Sequence, residues 1–167
     1  MNKCIFLDRD GVLNRDYVDY VYSAEKLEIL PGVGEALTSL KRAGYLLVVI
    51  TNQSGIAKGI YTREQMHECH QIMQNAFNHQ IDYFYYAPGH PSVSESLSRK
   101  PDSLMFEKAI ARFNIDTNLS WMIGDKERDL VPARKLGIKT IQVDYDDSRM
   151  ADYHAKSLPD ALEIIFG

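Results

Sequence analysis

Cysteine is scarce in this chain, with Cys4 and Cys69 the only two in 167 residues. Two widely separated thiols supply neither the ligand spacing of a zinc site nor a disulfide framework. Cys4 lies in an apolar run and reads as a small buried hydrophobe. Both are expected as free thiols in a reducing compartment. No apolar stretch approaches the ~20 residues that a membrane helix needs, and the first residues carry no signal-peptide core. A cytoplasmic location away from membranes is expected. An excess of positive charge is also lacking: the formal net charge is -4, which argues against a general nucleic-acid binder. A phosphate ester could dock on such a protein only where cations are gathered locally. Internal repeats, low-complexity segments and a dividing linker are missing too. Residues 1–167 are therefore read as one domain, with a monomer favoured.

What is present is an alternation of short apolar runs and helical patterns. Hydrophobic residues make up 45% of the chain and charged residues 25%, enough for a core flanked by two layers. Cys4-Ile5-Phe6-Leu7 reads as a strand. Residues 33–43 have helical spacing, stopped by Gly44. Residues 45–50 (Tyr-Leu-Leu-Val-Val-Ile) form a run typical of a strand buried on both faces. Thr62-Arg63-Glu64-Gln65 is a capping box that opens a helix to about Asn78. An aromatic strand (81–87), a Pro/Gly/Ser loop (88–100) and a helix from Pro101 to Phe113 follow. Then come a strand at 121–123, a helix at 128–136, a strand at 140–143 and a final helix capped by Ser157. This alternation predicts an α/β fold, a three-layer Rossmann-like parallel sheet with helices on both faces.

Four polar clusters stand where those runs end. In Leu7-Asp8-Arg9-Asp10-Gly11, two carboxylates follow the first strand, at the edge where ligands bind a parallel sheet. Carboxylates held this close repel, so a folded site must share a proton or bind a cation, and Mg2+ suits oxygen ligands. An isolated Asp-x-Asp-Gly is more often an ordinary turn. Thr51, after the buried strand, offers a hydroxyl and neighbouring backbone N–H groups to phosphoryl oxygens, or it is a simple capping residue. Arg99-Lys100-Pro101 sets two cations before a helix. Gly124-Asp125-Lys126 places another carboxylate at a strand end, and Asp129 either orients a ligand or caps the next helix.

In chain order these four clusters resemble the motifs of the haloacid dehalogenase (HAD) superfamily of phosphatases, over most of the chain. The resemblance implies that Asp8 is the nucleophile and Asp10 the general acid and base. It also implies that Thr51 and Lys100 hold the transferring phosphoryl group, while Asp8, the backbone carbonyl of Asp10 and Asp125 bind Mg2+. A carboxylate nucleophile divides one hard hydrolysis into two easier steps.

Asp8-Arg9-Asp10-Gly11, residues 51–57 (Thr-Asn-Gln-Ser-Gly-Ile-Ala), Arg99-Lys100-Pro101 and Gly124-Asp125-Lys126 are similar to the subgroup holding the heptose bisphosphate phosphatases and the histidinol-phosphatases. That likeness implies a small phosphate ester as substrate, a sugar bisphosphate favoured. It adds Arg9, Asn52, Gln53, Ser54, Arg99 and Lys126 as substrate contacts and residues 14–21 as a specificity loop. Many members of the subgroup bind structural zinc before the Arg-Lys pair. Here Ala87, Gly89, Ser96 and Ser98 stand at the expected ligand positions and His90 alone cannot make a tetrahedral site, so no zinc is expected. The intervals between motifs leave no room for a large cap domain, implying a capless enzyme. A histidinol-phosphatase, a phosphomutase and a non-catalytic phosphosugar-binding protein remain open alternatives.

Overall fold

A computed structural model describes residues 1–144 and 150–167. The short apolar runs become the sheet: β1 (Cys4–Leu7), β2 (Leu46–Asn52), β3 (Tyr83–Ala87), β4 (Trp121–Gly124), β5 (Lys139–Val143) and β6 (Tyr153–Ala155). The spatial order is β3-β2-β1-β4-β5-β6 and every pairing is parallel. The chain adds strands to one side of β1, then returns to add the rest on the other. That reversal opens a crevice at the carboxyl ends of the central strands.

The helices are α1 (Val33–Arg42), α2 (Arg63–Ala76), α3 (Leu104–Phe113), α4 (Glu127–Lys135) and α5 (Leu158–Phe166). Side chains alternate across a strand. Ile5 and Leu7 of β1, with Leu47 and Val49 of β2, therefore pack with residues of α1, α2 and α5. Cys4, Phe6, Val48 and Ile50 face α3 and α4 on the other side. The central strands are thus buried on both faces, as their unbroken apolar runs require.

Register sets the site. Leu7 lies beside Val49 of β2 and Ile123 of β4. β1 and β4 end close to that level while β2 runs on to Asn52, which brings Asp8, Thr51 and Asp125 to the same end of the sheet. No helical or sheet insertion covers that edge among the described residues: β1 is followed by a loop to α1, β2 by α2, and β3 by a loop to α3.

Several local expectations change. The capping box at Thr62 is present, with Gln65 and Thr62 exchanging bonds. Helix α3 begins at Leu104, because residues 101–103 form a turn in which the Asp102 N–H donates to Arg99 O at 2.8 Å. Strand β6 and a 3-10 turn at Thr117–Leu119 were not anticipated. His70 on α2 is buried, its ring stacked on Phe84 with centroids 4.3 Å apart. Burial pushes its pKa down to about 3, so it packs as a neutral ring.

Candidate active site

Asp8 follows β1 directly and is held by its backbone N–H donating to Ile123 O at 3.0 Å. Its Oδ1 accepts a hydrogen bond from Lys100 Nζ at 2.8 Å. Lys100 is itself fully enclosed, its Nζ also reaching Ile50 O at 2.7 Å and Asp129 Oδ1 at 2.7 Å. The lysine loses hydration by burial, but Asp129 and Asp8 more than compensate, and its pKa is raised. Asp129 resolves the ambiguity left by the sequence: it does two jobs. One oxygen holds Lys100, and the other caps α4 by accepting from Lys126 N at 3.1 Å.

The placement of Lys100 depends on Asn52. The Asn52 amide donates to Lys100 O at 3.1 Å and its Oδ1 accepts from Lys100 N at 2.9 Å. This reciprocal pair fastens the loop before α3 to the end of β2.

Ligand atoms of Asp8, Asp125 and Asp129 lie within 4.8 Å of one another, the one such group of three found among the described residues. One buried lysine faces three carboxylates, so negative charge is under-compensated. Burial first, then the charge of Asp129, pushes Asp8 up to about 6 against the pull of Lys100. Burial, then Asp8 and Asp129, pushes Asp125 up to about 8. Asp129 is occupied by Lys100 and the helix cap, whereas buried Asp125 Oδ1 has no partner. A hard cation fits here, with Asp8 and Asp125 as the open carboxylates.

Asp10 points elsewhere. Its carboxylate accepts from Arg9 Nη2 at 2.8 Å, Asn14 Nδ2 at 2.9 Å and Gln53 Nε2 at 3.2 Å. Burial alone would raise its pKa, but the Arg9 ion pair and these hydrogen bonds outweigh it and hold the group below its usual range. Arg9, expected at the substrate, is placed differently. It is 1% exposed, locked between Asp10 and Val21 O. Asp8 and Asp10 reach the cleft, whereas Arg9 is enclosed beneath it. Gln53 is likewise buried, bonded to Asp10 and to Thr51 Oγ1 at 2.9 Å, and contributes no cleft wall. Thr51 is 1% exposed beside them.

Above these groups opens a cleft of about 440 Å3. Asp8, Asp10, Asn52, Ser54, Arg99 and Lys126 reach it, as does Tyr20 from the expected 14–21 loop, and so do Lys58, His90 and Arg128, which sequence reasoning missed. An acidic protein thus gathers four lysine and arginine side chains around one opening. Arg128 Nε is buried without a partner. Arg99 loses some of its proton affinity to burial and then to the like charge of Arg128. Lys126 is held by Asp16 and lies 3.5 Å from Asp125. Such crowding of cations favours an anionic guest.

The loop expected to lack zinc is organised by hydrogen bonds. His90 Nδ1 pairs with the Ser92 hydroxyl at 2.6 Å, and the Ser96 and Ser98 hydroxyls pair at 2.7 Å. Gly89 packs so closely on Ser96 that an added Cβ would lie 3.3 Å from the serine's Cβ. Arg99 Nη1 donates to Gly89 O at 3.3 Å.

A parallel switch-point sheet with an acidic cluster and a buried lysine defines a class, and comparison with known proteins agrees. Residues 9–143 match the family described as haloacid dehalogenase-like hydrolase, and the chain belongs to that family. It is similar to the D-glycero-beta-D-manno-heptose-1,7-bisphosphate 7-phosphatase of Haemophilus ducreyi, 40% identical over 83% of this chain and 80% of that one. The Pasteurella multocida protein of the same name is 36% identical over 100% of this chain and 98% of its own. Among solved structures, the D,D-heptose 1,7-bisphosphate phosphatase of B. bronchiseptica, complexed with magnesium and phosphate, superposes with a TM-score of 0.90. It is 27% identical, with 98% of both chains covered. The chain is a phosphatase.

Proposed function

We propose that this protein is a Mg2+-dependent phosphatase that removes the 7-phosphate of D-glycero-D-manno-heptose 1,7-bisphosphate through an aspartyl-phosphate on Asp8. The observation that carries the chemistry is the pairing of Asp8 with buried Lys100 beside the unsatisfied Asp125. The relatives' activity and the cation-lined cleft support the substrate.

In the first half-reaction an Asp8 oxygen attacks phosphorus, the ester P–O bond breaks, and Asp10 gives a proton to the departing sugar oxygen. In the second, water attacks phosphorus, its proton passes to Asp10, and the P–O bond to Asp8 breaks. Asp10 is held ionised at rest, the form needed as base in the second half. The proton it donates first is acquired with the substrate. Lys100 and Thr51 hold phosphoryl oxygens. Asp8, the backbone carbonyl of Asp10 and Asp125 would hold Mg2+, which offsets the carboxylate charge and the charge of the phosphoryl group.

Residues 1–167 act as one capless domain and a monomer. Asn52, Ser54, Arg99 and Lys126 touch the sugar or its second phosphate, whereas Arg9 and Gln53 act by supporting Asp10. The 88–98 loop works without zinc, its hydroxyl pairs taking the place of ligands. The buried thiols Cys4 and Cys69 suit a reducing cytoplasm.

The test is phosphate release with and without Mg2+, comparing the heptose bisphosphate with histidinol phosphate and common sugar phosphates. The heptose ester is expected to give the highest kcat/KM, and Asp8→Asn to abolish turnover. Wild-type rates in Asp8→Asn would sink the mechanism. Preference for histidinol phosphate would sink the substrate assignment alone.

A further inference from the structure

Tyr61 lies outside the reacting groups but is bound to them through one side chain. Its hydroxyl donates to Gln53 Oε1 at 2.6 Å, with the ring 4% exposed. The same Gln53 amide donates Nε2 to Asp10 Oδ2 at 3.2 Å and to Thr51 Oγ1 at 2.9 Å. An amide has distinct ends. Were it reversed, its oxygen would face the Asp10 carboxylate, and two acceptors would repel. The Asp10 carboxylate selects the other orientation, and the Tyr61 hydroxyl holds it by donating to the amide oxygen.

Two further observations show that the ring is deliberately seated. It crosses directly over Gly55, where an added Cβ would fall 2.1 Å from Tyr61 Cε1. It is also stacked on Tyr22, with centroids 5.2 Å apart and planes 9° from parallel, and tilted against Tyr20 at 5.9 Å. Tyr20 lines the cleft and accepts a bond from Lys58 Nζ at 2.9 Å. Burial raises the phenol's pKa, which keeps the hydroxyl a donor.

We propose that Tyr61 is a positioning residue whose hydroxyl fixes the Gln53 amide, so that Gln53 aims the Asp10 carboxylate and the Thr51 hydroxyl at the phosphoryl group. The inference rests on the phosphatase reading above but not on the identity of the sugar. Removing the hydroxyl leaves the buried Gln53 oxygen without its partner and the amide less firmly held, and Asp10 with it. The loss should fall on esters whose departing oxygen needs a proton.

The test measures kcat/KM for phenyl phosphate and for p-nitrophenyl phosphate, whose leaving group departs readily unaided. Wild type, Tyr61→Phe, Gln53→Met and the double variant are compared, each checked by thermal melting. Tyr61→Phe keeps the ring on Gly55. It is expected to lower kcat/KM for phenyl phosphate about three- to tenfold more than for p-nitrophenyl phosphate, the scale of one hydrogen bond. In the Gln53→Met background it should cost nothing further, because the route to Asp10 is already cut. Equal losses on both esters, no loss, or full additivity with Gln53→Met would overturn the proposal. Retained turnover of both esters by Asp8→Asn would instead overturn the aspartyl-phosphate mechanism on which the inference rests.

Discussion

Asp8 and Asp125 are ionisable groups whose proton affinity rises on folding, to about 6 and about 8 from 3.8. Without metal, the folded chain therefore binds more protons than the unfolded chain between pH ~4 and ~8. Stability from these groups is complete below pH ~4 and lost as pH climbs through that window. Asp8 alone accounts for on the order of 3 kcal/mol, and the carboxylates titrate as a set. Metal-free protein should melt progressively lower from pH 5 to pH 8, and the rise in Tm on adding Mg2+ should grow over the same range. At pH 8 without metal, Asp8→Asn should melt higher than wild type. A Tm independent of pH would contradict this account.

The same scale shows what the sequence made legible. Asp8, Thr51 and Asp125 each follow an apolar run closely, so a linear reading finds them. Arg9 and Gln53 sit between such residues and were read alike, yet their side chains turn into the protein and support Asp10. Lys58 and Arg128 carried no local signal, because only tertiary folding brings their segments to one opening. Asp129 was half-legible: its capping role is written in the helix start, its grip on Lys100 is not.

At the level of elements, the turn after β1 matters most. Gly11 has φ +89°, and an added Cβ would lie 2.5 Å from Asp125 Oδ2. Gly11→Ala therefore carries both backbone strain and a collision with the carboxylate offered to the metal. Apparent Mg2+ affinity, read from activity against Mg2+ concentration, should fall about tenfold, alongside a lowered Tm. An unchanged Mg2+ requirement would place Asp125 outside the metal site. The long central elements were readable because β1, β2 and the α2 capping box combine strong patterns with clear stops. Strand β6 was not, since Tyr153-His154-Ala155 is too short to alternate and is defined only by its pairing with β5.

Across the whole molecule, a net charge of -4 coexists with a cleft edged by Lys58, Arg99, Lys126 and Arg128. Those charges are partly exposed, and salt screens them over about 10 Å at 0.1 M. KM for a bisphosphate should rise with ionic strength while kcat, which the proposed mechanism assigns to buried Asp8 and Lys100, stays nearly constant. A fall in kcat without a change in KM would reverse that assignment. The chain order of the four motifs made the overall fold legible, but the balance between an acidic body and a basic mouth is invisible in composition alone.

The Asn52–Lys100 pair has a consequence at this scale. A side-chain amide here imitates the two-way bonding of neighbouring strands, donating to one backbone group and accepting from another of the same residue. Together with the Lys100 Nζ bond to Ile50 O, it ties the lysine to β2 through both backbone and side chain. The lysine is thereby held by the sheet as well as by the loop before it, so changes in residues 88–98 should leave its charge near Asp8. A fold arranged this way can acquire a new substrate by rewriting its rim, without reinventing the reaction.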